Sequence, residues 1–208
     1  MSKDQILSQL LESRLVAIIR LDDPSEVYPV SCAIAEGGIT SIEVTMTTPN
    51  ALNEIQKLSQ KSGVLVGVGS VVDAKTARAA IDSGAEYIVT PVSKKAVIEA
   101  SHALEKPIIS GAFTPSEVVQ AYDWGADIIK LFPADQFGIG YLKAIRAPLP
   151  HIPIFPTGGI NADNARAWLD AGALGLGIGS ALVDKELIAQ KDYKAITQKA
   201  KALVAALG

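Results

Sequence analysis

The sequence predicts a (β/α)8 barrel with one extra helix at its start, and three observations carry that prediction. A short apolar run, a polar turn and a helical segment recur eight times at roughly 20- to 27-residue intervals, the alternation expected of parallel strands joined by crossover helices. No linker or low-complexity stretch interrupts the series, so residues 1–208 read as a single domain. The first strand lacks the Gly-X-Gly-X-X-Gly turn of a dinucleotide site, which disfavours the competing open, doubly wound sheet.

Taken in order, residues 2–13 predict an amphipathic helix through Ile6, Leu7, Leu10 and Leu11 that caps one end of the fold. Strand 15–20 precedes a helix over 24–36 closed by Gly37-Gly38, and strand 41–45 precedes a helix from about Pro49. Strand 65–70 leads to a helix capped by Asp73 and stopped at Gly84, and strand 87–91 to a helix over 96–102. Strand 107–111 precedes Thr114-Pro115-Ser116-Glu117, a threonine cap with proline at the first helical position and glutamate at the third. Strand 128–133 leads to a helix over 141–146, strand 152–157 to a helix capped by Asn161, and strand 174–179 to a closing helix over 193–207.

Composition bounds the function. With 49% hydrophobic and 20% charged residues the chain has material for a large core, which excludes a disordered chain or a coiled coil. A net charge of −3 provides no basic field for nucleic acid or anionic lipid, so neither is expected as a partner. Cys32 is the only cysteine, no intramolecular disulfide is possible, and a cytoplasmic setting is expected. The first residues lack a signal-peptide apolar region, and no apolar run approaches a membrane span.

Barrel active sites lie at the strand C-termini. The expected strand ends are Arg20, Glu43, Ser70, Thr90, Gly111, Lys130, Thr157 and Gly179. Ile18, Val68, Ile88 and Ile128 stand two residues before Arg20, Ser70, Thr90 and Lys130; if they pack inside, the polar four point into the mouth. Lys130, inside the strand-forming run Ile128-Ile129-Lys130-Leu131-Phe132-Pro133, has two readings. Burial drives an ammonium towards the neutral, nucleophilic amine, so it can be a Schiff-base lysine that attacks a ketone, or it can snorkel to water or pair with a carboxylate. Glu43, in Ser41-Ile42-Glu43-Val44-Thr45, is either a proton carrier or half of a buried ion pair with Lys130 or Arg20. The glycine-rich loops Thr157-Gly158-Gly159-Ile160 and Gly177-Ile178-Gly179-Ser180 suit a phosphate held by backbone N–H groups. His102 and His151 fall away from the mouth, which disfavours a histidine-ligated metal and leaves a covalent amine as the electron sink.

Val16-Ala17-Ile18-Ile19-Arg20, Gly37-Gly38-Ile39, Ile42-Glu43-Val44-Thr45, Gly67-Val68-Gly69-Ser70, Lys130-Leu131-Phe132-Pro133 and Pro156-Thr157-Gly158-Gly159-Ile160, in that order, cover almost the whole chain. Together they resemble the 2-dehydro-3-deoxy-phosphogluconate (KDPG) aldolase and 4-hydroxy-2-oxoglutarate aldolase family. The resemblance implies a class I aldolase that splits a 2-oxo-4-hydroxy acid into pyruvate and an aldehyde, glyceraldehyde 3-phosphate from the phosphogluconate substrate, with no metal or other cofactor. It implies Lys130 as the imine-forming residue and Glu43 as the proton carrier. Arg20 and Thr47 then lie near the substrate's charged and hydroxyl groups, Ser70, Thr90 and Pro91 line the pyruvate pocket, and Phe132 packs beside the lysine. Gly158, Gly159, Gly179 and Ser180 hold phosphate. Homotrimers are implied, and oxaloacetate decarboxylation as a side activity. Some members carry arginine where this chain has Thr47, and threonine where it has Ser70, which leaves open the choice among the gluconate substrate, its galactonate epimer and unphosphorylated hydroxyoxoglutarate. The alternatives are a sugar-phosphate isomerase or epimerase on the same barrel, with Glu43 as base and Lys130 as its electrostatic partner, and a non-catalytic phosphometabolite-binding module.

Overall fold

Short runs rich in isoleucine and valine, buried on both faces, make parallel strands covered by helices. The computed structural model describes residues 1–208 and contains eight: β1 (Leu15–Ile19), β2 (Ser41–Thr45), β3 (Leu65–Gly69), β4 (Tyr87–Val89), β5 (Ile108–Ala112), β6 (Ile128–Leu131), β7 (Ile154–Pro156) and β8 (Leu176–Ile178). They form one sheet in the order β7-β6-β5-β4-β3-β2-β1-β8 with parallel neighbours throughout. A single bridge between Thr157 and Gly177 joins the two outermost strands, so the expected barrel is nearly closed.

The helices are α1 (Lys3–Ser13), α2 (Val27–Glu36), α3 (Ala51–Ser59), α4 (Ala74–Asp82), α5 (Lys95–Ala103), α6 (Pro115–Asp123), α7 (Gly138–Arg146), α8 (Ala165–Asp170), α9 (Lys185–Ala189) and α10 (Tyr193–Ala206). Helix α1 starts in a capping box between Ser2 and Gln5 and buries Ile6 and Leu10. Those two side chains join Val16, Leu65, Tyr87, Val89, Ile109, Ile128 and Phe155 in a cluster that fills the barrel interior. The larger apolar cluster lies between the strands and the outer helices. Asp73 caps α4 by accepting from Thr76 N–H at 2.8 Å, and Thr114 and Glu117 form the expected capping box on α6.

Four local expectations are corrected. The helix expected from Pro24 begins as a 3-10 turn over Pro24–Glu26, with Asp23 accepting from Ser25 N–H. The seventh helix starts three residues early, at Gly138. Asn161 caps a turn one step before α8, accepting from the N–H groups of Asp163 and Asn164 at 2.9 and 3.3 Å, and the helix itself starts at Ala165. Helix α9 was not expected; Asp184 caps it, accepting from Glu186 and Leu187 N–H.

Inside the barrel, large side chains lie where a neighbouring strand or strand entry has glycine. A β-carbon at Gly67 would strike the ring of Tyr87, and one at Gly69 the carboxyl of Glu43. Gly175 leaves room for Phe155, and Gly177 for Thr157. Gly175→Ala is expected to destabilise the fold by roughly 1–3 kcal/mol, because Phe155 is rigid and fully packed. Gly140→Ala, on an exposed helical position with open space around it, is expected to stabilise by up to about 1 kcal/mol. Urea-unfolding midpoints on either side of the wild type check both; two equal midpoints would refute the packing account.

Candidate active site

Lys130 is the third residue of β6, paired in register with Gly111 on one side and Phe155 on the other. Its inward neighbour two residues earlier, Ile128, belongs to the interior cluster, and the same alternation carries Lys130 to the floor of the mouth. The lysine is only 7% exposed. Its Nζ lies 4.0 Å from Glu43 Oε1 and 5.3 Å from the centre of the Phe132 ring.

Glu43 is 2% exposed and sits in the middle of β2, not at its end as expected. It reaches the site because Gly69, on the adjacent strand, leaves space for its carboxyl group. Oε1 has no hydrogen-bond partner. Burial pushes the Glu43 carboxyl above the usual carboxylate range, and the positive charges of Lys130 and then Arg20 only partly oppose this. The result is a proton acceptor of raised basicity beside an amine, in a site largely closed to water.

Lys130 opens onto a cleft of about 410 Å³, with Glu43 buried behind it. Of the expected site residues, Arg20, Ser70, Pro91, Lys130, Phe132, Gly158, Gly159, Gly179 and Ser180 line it. Arg20 reaches Ser70 Oγ through Nη2 at 3.4 Å, an outer-limit hydrogen bond across the mouth. Gly158 and Gly159 have φ of 117° and 66°, values that residues with side chains rarely adopt, and a β-carbon at Gly159 would also crowd Asp135. The N–H groups of Gly158, Gly159, Gly179 and Ser180 have no backbone acceptor, which leaves four donors at one rim of the cleft.

Three expected residues stand outside this lining: Glu43, buried behind Lys130, and Thr90 and Thr47. Thr90 is 1% exposed and its Oγ1 accepts from Gly111 N–H at 3.1 Å, knitting the end of β4 to β5. The alternation behind that expectation fails here, because Ile88 packs in the outer, helix-facing cluster and Thr90 follows it; Pro91 is the residue that turns to the cleft. Thr47 is exposed, with Oγ1 3.0 Å from Thr45 Oγ1, in a threonine group at the end of β2. Val68 also faces the helices, contrary to expectation. Ser70 nevertheless lines the cleft, because its left-handed backbone, φ 60°, breaks the strand's alternation.

Thr157, read only as a strand end, lines the cleft, as do Ile18, Ile160, Gly177, Val183 and Lys185. Lys185 is a cation that the sequence reading missed. It is the first residue of α9, with an 85% exposed side chain and Nζ 4.0 Å from Asp22 Oδ2. Asp184, an aspartate just before a helical run, was the available signal. His102 bonds Asp127 at 3.0 Å beside Lys3, which pairs with the same carboxylate, and His151 packs its ring on Tyr122.

Residues 6–199 match the family described as KDPG and KHG aldolase. The chain belongs to this aldolase family. A 2-dehydro-3-deoxy-phosphogluconate aldolase of Pseudomonas aeruginosa is 35% identical over 160 residues, 76% of this chain and 73% of that one. A 2-dehydro-3-deoxy-6-phosphogalactonate aldolase of Escherichia coli is 32% identical over 81% of this chain and 83% of its own. Among solved structures, the KDPG aldolase of Legionella pneumophila, with pyruvate captured at low pH as a covalent carbinolamine intermediate, superposes with a TM-score of 0.84 at 29% identity. The superposition covers 91% of this chain and 93% of that one. The chain is accordingly a lyase with the barrel of the KDPG aldolases.

The raised proton affinity of Glu43 has a thermodynamic consequence. A carboxyl that binds its proton more tightly folded than unfolded contributes stability below its unfolded pKa, and that contribution is lost as pH rises through the folded value. Relative to Glu43→Gln, the wild type is therefore expected to lose stability as pH rises from about 4.5, the ordinary glutamate value, to above the folded pKa. Urea unfolding of both proteins across that window checks the sign; a difference that does not vary with pH would contradict it.

Proposed function

We propose that this aldolase works through an imine on Lys130, without a metal, and cleaves 2-dehydro-3-deoxy-6-phosphogluconate into pyruvate and glyceraldehyde 3-phosphate. The observation that carries the reading is the buried Lys130 amine 4.0 Å from the Glu43 carboxyl on the floor of the cleft. The covalent pyruvate adduct of the Legionella pneumophila relative supports it.

In this reading Lys130 Nζ adds to the C2 carbonyl, and loss of water from the carbinolamine leaves a protonated iminium. Glu43, as carboxylate, takes the C4 hydroxyl proton directly or through water. The C3–C4 bond then breaks, its electrons flow to the iminium, and the aldehyde leaves. The remaining enamine takes a proton from Glu43 at C3, and hydrolysis returns pyruvate and the free amine. Arg20 suits a charged or hydroxyl group of the substrate, and Ser70, Pro91, Thr157 and Phe132 border the end that becomes pyruvate. The four free N–H groups at Gly158, Gly159, Gly179 and Ser180 suit the phosphate. Lys185 is their only lysine companion along that rim of the cleft. Its charge stands in a different place from the arginine that some members carry at position 47.

The same chemistry extends to the galactonate epimer, to 4-hydroxy-2-oxoglutarate with release of glyoxylate, and to decarboxylation of oxaloacetate. We further propose a cytoplasmic homotrimer. Borohydride reduction with pyruvate followed by peptide mass mapping is expected to place one trapped pyruvate on Lys130; an isomerase, epimerase or binding module would trap none, and an adduct on another lysine would overturn the assignment. Lys185→Ala is expected to raise KM for the phosphorylated substrate by about tenfold, the scale of one lost charge-assisted hydrogen bond, and to leave KM for hydroxyoxoglutarate unchanged. Equal effects on both substrates would remove Lys185 from phosphate binding.

A further inference from the structure

Two polar atoms inside the barrel lack hydrogen-bond partners: Glu43 Oε1 and the hydroxyl of Tyr87. Tyr87 is fully buried, at the first position of β4, among Val16, Leu65, Ile109, Ile128 and Phe155. A phenylalanine would fill the same space without burying a hydroxyl, and a buried hydroxyl with no partner is a net cost. The strand register shows where this one leads. Glu43 of β2 pairs with Gly67 of β3, and Gly67 pairs with Tyr87 of β4, so the two side chains flank one glycine at the same level of the barrel. The Tyr87 ring lies over Gly67, with Cζ and Cε2 where that residue's β-carbon would be. The phenol therefore extends across β3 towards β2. The Glu43 carboxyl lies in the space left by Gly69, on the same inward face of β3. The other hydroxyls on the Glu43 face of β2 are already engaged, Ser41 with Ser13 at 3.3 Å and Thr45 with Thr47 at 3.0 Å.

We propose that Tyr87 is a positioning residue for Glu43, its O–H reaching over Gly67 towards the carboxyl and donating to Oε1 through one bridging water. This rests on Glu43 being the proton carrier of the aldolase reaction. The charged groups that act on Glu43 are Lys130 from β6 and Arg20 after β1; Tyr87 faces it from β4, and β3 presents only Gly67 and Gly69 to it. The Glu43 charge also adds to burial in holding the Tyr87 phenol well above its ordinary pKa, so Tyr87 stays a donor across the working range. A phenol donor favours the ionised carboxylate and offsets part of what burial imposes on it. The two cations act on the same charge from the substrate side, and Tyr87 acts from beneath.

The test uses exchange of pyruvate methyl protons for deuterium, followed by NMR as a function of pH. This reaction needs the imine and a base but no aldehyde. The wild type is expected to show an acid-side limb that Glu43→Gln abolishes. Tyr87→Phe removes one oxygen and leaves the packing, and it is expected to move that limb upward by about one pH unit, the scale of a lost hydrogen bond to a charged group. It should still trap pyruvate with borohydride, which reports an intact Lys130 site. Superimposable wild-type and Tyr87→Phe limbs would overturn the proposal. If the wild type exchanges no protons, or Glu43→Gln keeps the limb, the Glu43 assignment fails and takes the proposal with it. A second measurement does not depend on the folding of Tyr87→Phe: the ultraviolet difference spectrum of wild type against Glu43→Gln should show the red-shifted phenol band of a tyrosine hydrogen-bonded towards the Glu43 carboxylate. A flat difference in the phenol region overturns the proposal.

Discussion

The constraint on which this structure depends is volume inside the barrel. Eight strands enclose barely enough room for the side chains they turn inward, and here the interior includes a tyrosine, a phenylalanine, a glutamate and a lysine. Gly67, Gly69, Gly175 and Gly177 give up their share of that space to Tyr87, Glu43, Phe155 and Thr157. The glycines of Gly67-Val68-Gly69 and Gly175-Leu176-Gly177 are thus packing elements, spaced two apart because inward positions alternate along a strand. Their omission of side chains is what admits an ionisable pair to a core otherwise filled from below by Ile6 and Leu10.

Burial and charge oppose each other at Glu43, and burial prevails. A carboxyl desolvated this far prefers its proton, yet Lys130 and Arg20 keep the ionised form within reach. The 4.0 Å separation from Lys130 matters for the same reason. A tight, hydrogen-bonded ion pair would occupy both groups, whereas a loose one leaves the amine and the carboxyl each free for the roles proposed for them. The cost is borne by the rest of the barrel, whose apolar walls hold the pair in place.

Much of this was legible in the sequence, and the misses have physical causes. The eight repeats, the caps at Asp73 and Thr114 and the glycine loops are local signals, and each is present in the fold. Lys130 and Glu43 were legible because charged residues inside strand patterns are conspicuous. Ser70 and Thr90 were placed by strict alternation, which a single left-handed residue at position 70 and an outward Ile88 defeat. Thr47 and Lys185 depend on where loops travel in space, which no period records. Tyr87 read as an ordinary strand residue, since its relation to Glu43 exists only through a third strand's glycine.

The join between β7 and β8 is the thinnest part of the wall. Two three-residue strands meet there through the lone Thr157 to Gly177 bridge, and the loops bearing Gly158, Gly159, Gly179 and Ser180 leave from either side of that join. An anion held by amides of both loops would therefore act as a clasp across the seam. Under the proposed function, ligand occupancy and barrel closure would then be a single equilibrium, the anchoring end of the substrate helping to finish the wall that shelters its reacting end.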